Sequence, residues 1–116
     1  MLKNRKNIEI QRLELMTKKD NKILHLTLKK KWFDMILSGE KKEEYRDVKQ
    51  YWIDRLKLSK QYDVIKFKNG YSKNARQMVV EFKGCEIGSA VHEWSDGWQG
   101  QVFIIKLGNI LETTNC

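Results

Sequence analysis

Proline is absent from this 116-residue chain, and cysteine and histidine occur only twice each. Glycines and one Asn-Gly pair therefore carry the punctuation between elements. Cys85 and Cys116 have no CxxC spacing, and the second is the terminal residue. Neither a disulfide framework nor a zinc site is readable, so both are expected to be incidental reduced thiols. No metal ligand set and no cofactor motif is expected. No apolar run approaches the length of a membrane span, and the N-terminus lacks the apolar centre of a signal peptide. No membrane association is expected, and the cytoplasm is the expected location. There is no internal repeat.

Positive charge is abundant. Lys and Arg total 23 against 15 acids, for a net charge of +8. Residues 1–21 hold six basic and three acidic side chains, so most of the excess lies in the body of the chain. Such a field attracts polyanions without choosing among them. It also suits a solvated lysine surface that maintains solubility.

Residues 1–21 are polar and weakly periodic, and they are expected to form a flexible arm. A single domain is expected over 22–116. Ile23, Leu24, Leu26 and Leu28 read as a strand. Lys30 to Ser38 reads as a helix with Trp32, Phe33, Ile36 and Leu37 on one face, closed by Gly39 as a left-handed cap. Lys42 to Arg46 reads as a strand. Asp47 and Gln50 form a capping-box pattern before a second helix whose buried stripe is Val48, Trp52 and Leu56. Strands are expected over Tyr62–Lys68, Gln77–Lys83 and Val102–Leu107, with a bend or bulge at Gly84 and Gly88. His92–Gly100 reads as a loop, and Ile110 and Leu111 are expected to pack behind the last strand. Short strands with few helical crossovers indicate an α+β class, a small mixed β-barrel with two short helices.

From Leu26 the chain reads LTLKKKWFDMILSGEKKEEYRD. Strand, helix, capping glycine and then G-x-K-x-x-E-x-R, here Gly39, Lys41, Glu44 and Arg46, resemble the ASCH family. The stretches KFKNGYSKNA and VFIIKLGNIL are similar to those of its small phage-associated and bacterial members. The resemblance spans Lys22 to Leu111. It implies a PUA-like pseudo-barrel with a cleft beside the first helix, and binding of RNA or nucleotides. One bacterial branch hydrolyses acetylated cytidine nucleosides, and some members are described as ribonucleases. In that amidohydrolase branch a lysine at position 41 activates a threonine three residues later. Glu44 stands there instead, so the attacking hydroxyl is missing. A downstream acid has three candidates: Glu81, Glu86 and Glu93.

The motif also has a direct physical reading. In a strand, Glu44 and Arg46 share a face. Arg46 offers a planar fork for phosphate or a base edge, and Glu44 can accept from a base amino group or simply hold that guanidinium. Lys41 could bring an ammonium to the same cleft, and burial there would lower its pKa. The plainer alternative is an internal ion pair bracing the barrel.

Trp94 and Trp98 either stack a base or plug the barrel end. Asn69, Tyr71, Lys73 and Arg76 form a basic turn suited to phosphate and base contacts, or else a solvated one. His25 is expected to be structural, and His92 adjoins Glu93 in a loop. Trp32 and Trp52 are expected in the core. The leading expectation is a binding module for RNA or a nucleotide, using Lys41, Glu44, Arg46, the 69–76 turn and a tryptophan. The rivals are a hydrolase on nucleosides or RNA with Lys41 and Glu44 as catalytic residues, and a phage or host accessory protein that binds another protein.

Overall fold

The computed structural model describes residues 22–57 and 61–116. The arm expected over 1–21 lies outside the described residues. Strand β1 (Ile23–Leu28) leads into helix α1 (Lys30–Leu37), then strand β2 (Glu43–Asp47) and helix α2 (Gln50–Leu56). Strands β3 (Val64–Asn69), β4 (Gln77–Ser89) and β5 (Gln101–Thr114) follow. A 3-10 turn at His92–Trp94 interrupts the connection from β4 to β5. The strands form one sheet in the order β1-β3-β4-β5-β2. Only β1 and β3 are parallel; the remaining pairs are antiparallel. The sheet is mixed and curls into a half-barrel around its core. No helix among the described residues is long and apolar enough to cross a membrane.

Alternation explains the concave face. In β1, Leu24, Leu26 and Leu28 are buried, while Ile23 and His25 face outward. Ile65 and Phe67 of β3, Met78 and Val80 of β4, and Phe103 and Ile105 of β5 join them in one cluster. Helix α1 closes it with Phe33 and Ile36, and α2 adds Leu56. Phe33 is wholly inaccessible; truncating such a side chain to alanine costs about 3–5 kcal/mol. Gly39 has φ of +86° and its N–H reaches the Ile36 carbonyl at 3.0 Å, which ends α1 as expected.

Several elements differ from expectation. Asp47 is not a helix cap: its backbone belongs to the β2–β5 ladder opposite Val102. Lys49 occupies the cap position of α2 without a side-chain hydrogen bond. Val48 therefore lies before the first helical turn, off the buried stripe, and is exposed. His25 is not a buried structural histidine but an exposed side chain on the convex face.

Strands β4 and β5 run longer than their alternation suggests, because their pairing shifts three times between Val79 and Gly84. Gly84 marks one of these shifts, whereas Gly88 pairs regularly with Val102. At this irregularity the buried Glu81 carboxylate accepts the Asn109 N–H at 3.1 Å and pairs with Lys83 at 3.3 Å. Gly108 leaves it room, since a Cβ there would lie 2.8 Å from the Glu81 Cβ. Such an irregularity strengthens twist and helps a sheet to curl.

Candidate functional site: a charged cavity at the sheet seam

The curl brings the two edge strands, β1 and β2, toward each other, and the site lies where they meet. Strand β2 pairs Glu44 with Ile105 and Arg46 with Phe103, so both side chains point to the concave side. The chain returning from α1 is held by the Lys41 N–H, which donates to the Met35 carbonyl at 2.9 Å. That turn sends the Lys41 side chain inward. Lys41 is 2% exposed and Glu44 4%.

One carboxylate serves two cations. Lys41 Nζ lies 2.9 Å from Glu44 Oε1, and the Arg46 guanidinium lies 2.7 Å from Glu44 Oε2. The same Arg46 nitrogen donates to the Thr27 carbonyl on β1 at 3.1 Å. Aromatic faces complete the packing: Lys41 Nζ is 4.1 Å from the Trp32 ring centroid, and the Arg46 guanidinium is 5.0 Å from that of Trp52. The cluster keeps one positive charge in excess. Arg46 Nε is buried and has no hydrogen-bond partner among the described residues. A buried donor left in that condition costs stability unless a ligand or water meets it.

Burial pushes the Lys41 pKa below its ordinary value. Glu44 opposes that shift, Arg46 adds to it, and Asp96 opposes it more weakly. Burial also raises the Tyr45 phenol well above its usual range, helped by its hydrogen bond to Glu43.

A cavity of about 330 Å³ opens over this cluster. Lys41, Glu44 and Arg46 form one wall, and Thr27 and Trp32 contribute from β1 and α1. Trp94, Asp96 and Trp98 line it from the connection between β4 and β5. Local bonds build that connection. Ser95 Oγ donates to the Val91 carbonyl at 2.8 Å and accepts the Trp98 N–H at 3.2 Å. The Tyr45 hydroxyl accepts the Val91 N–H at 3.0 Å and donates to Glu43 at 2.7 Å. An ion pair between Lys31 and Asp96 ties the connection to α1. Both partners are more than half exposed, so the pair contributes little stability. Trp98 is half exposed at the mouth.

Lys41, Glu44, Arg46, Trp94 and Trp98 thus come together. The 69–76 turn does not join them. Asn69 donates to the Leu28 carbonyl at 3.1 Å and accepts from Arg76 at 3.0 Å. Arg76 pairs with Asp34 at 2.7 Å and lies over the Phe33 ring. Those bonds brace the end of β1 against α1. Tyr71 is 88% exposed and Lys73 is also in solvent, and neither lines the cavity. The three downstream acids are elsewhere: Glu81 at the bulge, Glu86 with Lys106 at 3.1 Å, and Glu93 exposed. Neither histidine lines the cavity.

Trp32, Thr27, Asp47 and Asp96 are lining residues that the pattern did not single out. Helical spacing places Trp32 in the core; in the structure it packs against the core but also shows a face to the cavity. Helical spacing identifies a buried stripe but not a stripe's open margin. No group of three His, Cys, Asp or Glu among the described residues is placed to hold a metal ion. No family model matches the chain, nor does any curated protein or solved structure.

Proposed function

We infer that this chain is an ASCH-type domain of the PUA-like class whose seam cavity binds a nucleotide, free or within RNA. The observation that carries this reading is the Lys41–Glu44–Arg46 cluster beneath tryptophan. It combines two buried cations with flat tryptophan faces in a space of about 330 Å³, whose lining sets Lys29, Lys41 and Arg46 against Glu44, Asp47 and Asp96. That volume lies within the range of small-ligand sites. Arg46 and Lys41 supply donors for phosphate or a base carbonyl. Trp98 supplies a stacking plane, and Asp47 and Asp96 supply acceptors for base or ribose donors. The curled five-strand sheet with two helices supports the PUA-like assignment. Calorimetric titration with nucleoside monophosphates at two salt concentrations tests the reading. Binding should weaken with salt; absent or salt-insensitive binding sinks the phosphate contact.

A second reading has one observation in its favour. The lowered pKa of Lys41, next to a carboxylate, suits proton transfer in a nucleoside hydrolase. Against it, both Glu44 oxygens are already engaged, and position 44 carries no hydroxyl nucleophile. Incubation with acetylated cytidine should give no turnover that depends on Lys41. Turnover lost in Lys41→Ala, with the fold intact, would reverse this order.

A further inference from the structure

The outer face of β1 and β3 holds two lysines, Lys66 and Lys68, that do not line the cavity. In the parallel register, His25 stands beside Lys66 and Thr27 beside Lys68, so these four side chains point to the convex side together. Residues two apart on a strand are about 6.6 Å apart, close to the separation of successive phosphates in an extended strand. The four residues line a shallow depression of about 360 Å³ with Leu26 and Gln77. None of the ion pairs among the described residues uses Lys29, Lys66 or Lys68. These charges are open to an anion.

Position links this depression to the cavity. Thr27 lines both, and its carbonyl takes the Arg46 hydrogen bond at the seam. β1 is an edge strand, so nothing in the sheet separates the two faces at this point. Lys29, at the cavity rim, follows directly on β1. The basic path thus runs from Arg46 past Lys29 and over Thr27 to Lys68 and Lys66. It stops before β5, where Glu112 occupies the same lateral row as His25, Lys66 and Val79.

We propose that the nucleotide in the cavity belongs to a single strand of nucleic acid, whose adjoining phosphates cross the β1 edge at Thr27 and lie on His25, Lys66 and Lys68. This rests on the nucleotide reading of the cavity and extends it. A single strand fits because the cavity needs an unstacked base, which a paired helix does not offer.

The test compares a labelled six-nucleotide RNA with the matching monophosphate, on wild type and on Lys66→Gln/Lys68→Gln, across a salt series. The hexamer should bind wild type at least about tenfold tighter than the monophosphate. The double variant should lose most of that gain, and its salt slope should fall by about 1.4. Its affinity for the monophosphate should not change, which also shows that it is folded. Equal hexamer affinity and salt slope in the two proteins overturn the proposal. So does a sulfated oligosaccharide of equal charge competing as well as the hexamer. If the monophosphate binds and the hexamer gains nothing, the path alone fails. If neither probe binds wild type, the cavity reading fails with it.

Discussion

The guanidinium of Arg46 donates to the backbone carbonyl of Thr27 at 3.1 Å, joining β2 to β1, the two strands at opposite ends of the sheet order. One side chain thus bridges the open side of the half-barrel. The same guanidinium pairs with Glu44, which holds Lys41. Architecture and candidate chemistry share these atoms, so a change at one of them is felt in both.

Glu44 should be the costliest member of the cluster to remove. Glu44→Ala leaves two cations facing each other without a counter-charge, and breaking a buried pair in this way costs about 3–5 kcal/mol. Lys41→Met should cost less, because Glu44 keeps Arg46 and the methionine packs on Trp32. Urea unfolding of the two variants beside wild type checks the order. Equal losses would show that Lys41 alone satisfies Glu44.

Lys41 should make stability rise with pH over a defined window. Its folded pKa is lowered from 10.5, chiefly by burial. The unfolded chain therefore binds more protons between the lowered value and 10.5, and unfolding becomes less favourable as pH rises through that window. Tyr45 acts in the opposite sense: its folded pKa is raised, so its contribution is lost as pH climbs past 10. The difference between wild type and Lys41→Met isolates the lysine. Wild type should gain on the variant as pH increases; a constant difference would mean that burial does not perturb Lys41.

Gly108→Ala should destabilise the β4–β5 irregularity. The new Cβ would press on the Glu81 side chain and come within 2.8 Å of Lys83 Cε. Displacing the carboxylate from the Asn109 N–H adds to the overpacking, for a loss of about 1–3 kcal/mol. Thermal melting checks this, and an unchanged transition would show that Glu81 relocates freely.

The two thiols should differ in reactivity. Burial raises the Cys85 pKa to about 11, while Cys116 is exposed. At pH 8 about one Cys85 in a thousand is thiolate, so alkylation should label Cys116 first and Cys85 far more slowly. Mass spectrometry of a time course reads both sites. Equal rates would place Cys85 in water.

Much of this arrangement is legible in the residue order. Two-residue alternation places Glu44 and Arg46 on one face, and apolar spacing locates β1, α1, β3 and the first half of β4, while the pairing of β3 with β4 is seen only in the fold. Other features depend on three dimensions. Asp47 carries a capping pattern, yet its backbone hydrogen bonds go to β5. The lengths of β4 and β5 are hidden because Gly84, Gly108 and the buried Glu81 break alternation at the bulge. The contact between Thr27 and Arg46 exists only because the sheet curls. The 69–76 turn has the composition of a ligand loop, but Asn69 and Arg76 are engaged in holding β1 to α1.

The most direct measurement is an NMR titration that follows the indole N–H signals of the four tryptophans and the Arg46 Nε–H while a nucleoside monophosphate is added. Binding in the seam cavity predicts saturable shifts at Trp32, Trp94, Trp98 and Arg46, with the backbone signals of Tyr71 and Lys73 unmoved. Shifts confined to the 69–76 turn, or no saturable shift at Arg46, would contradict the account.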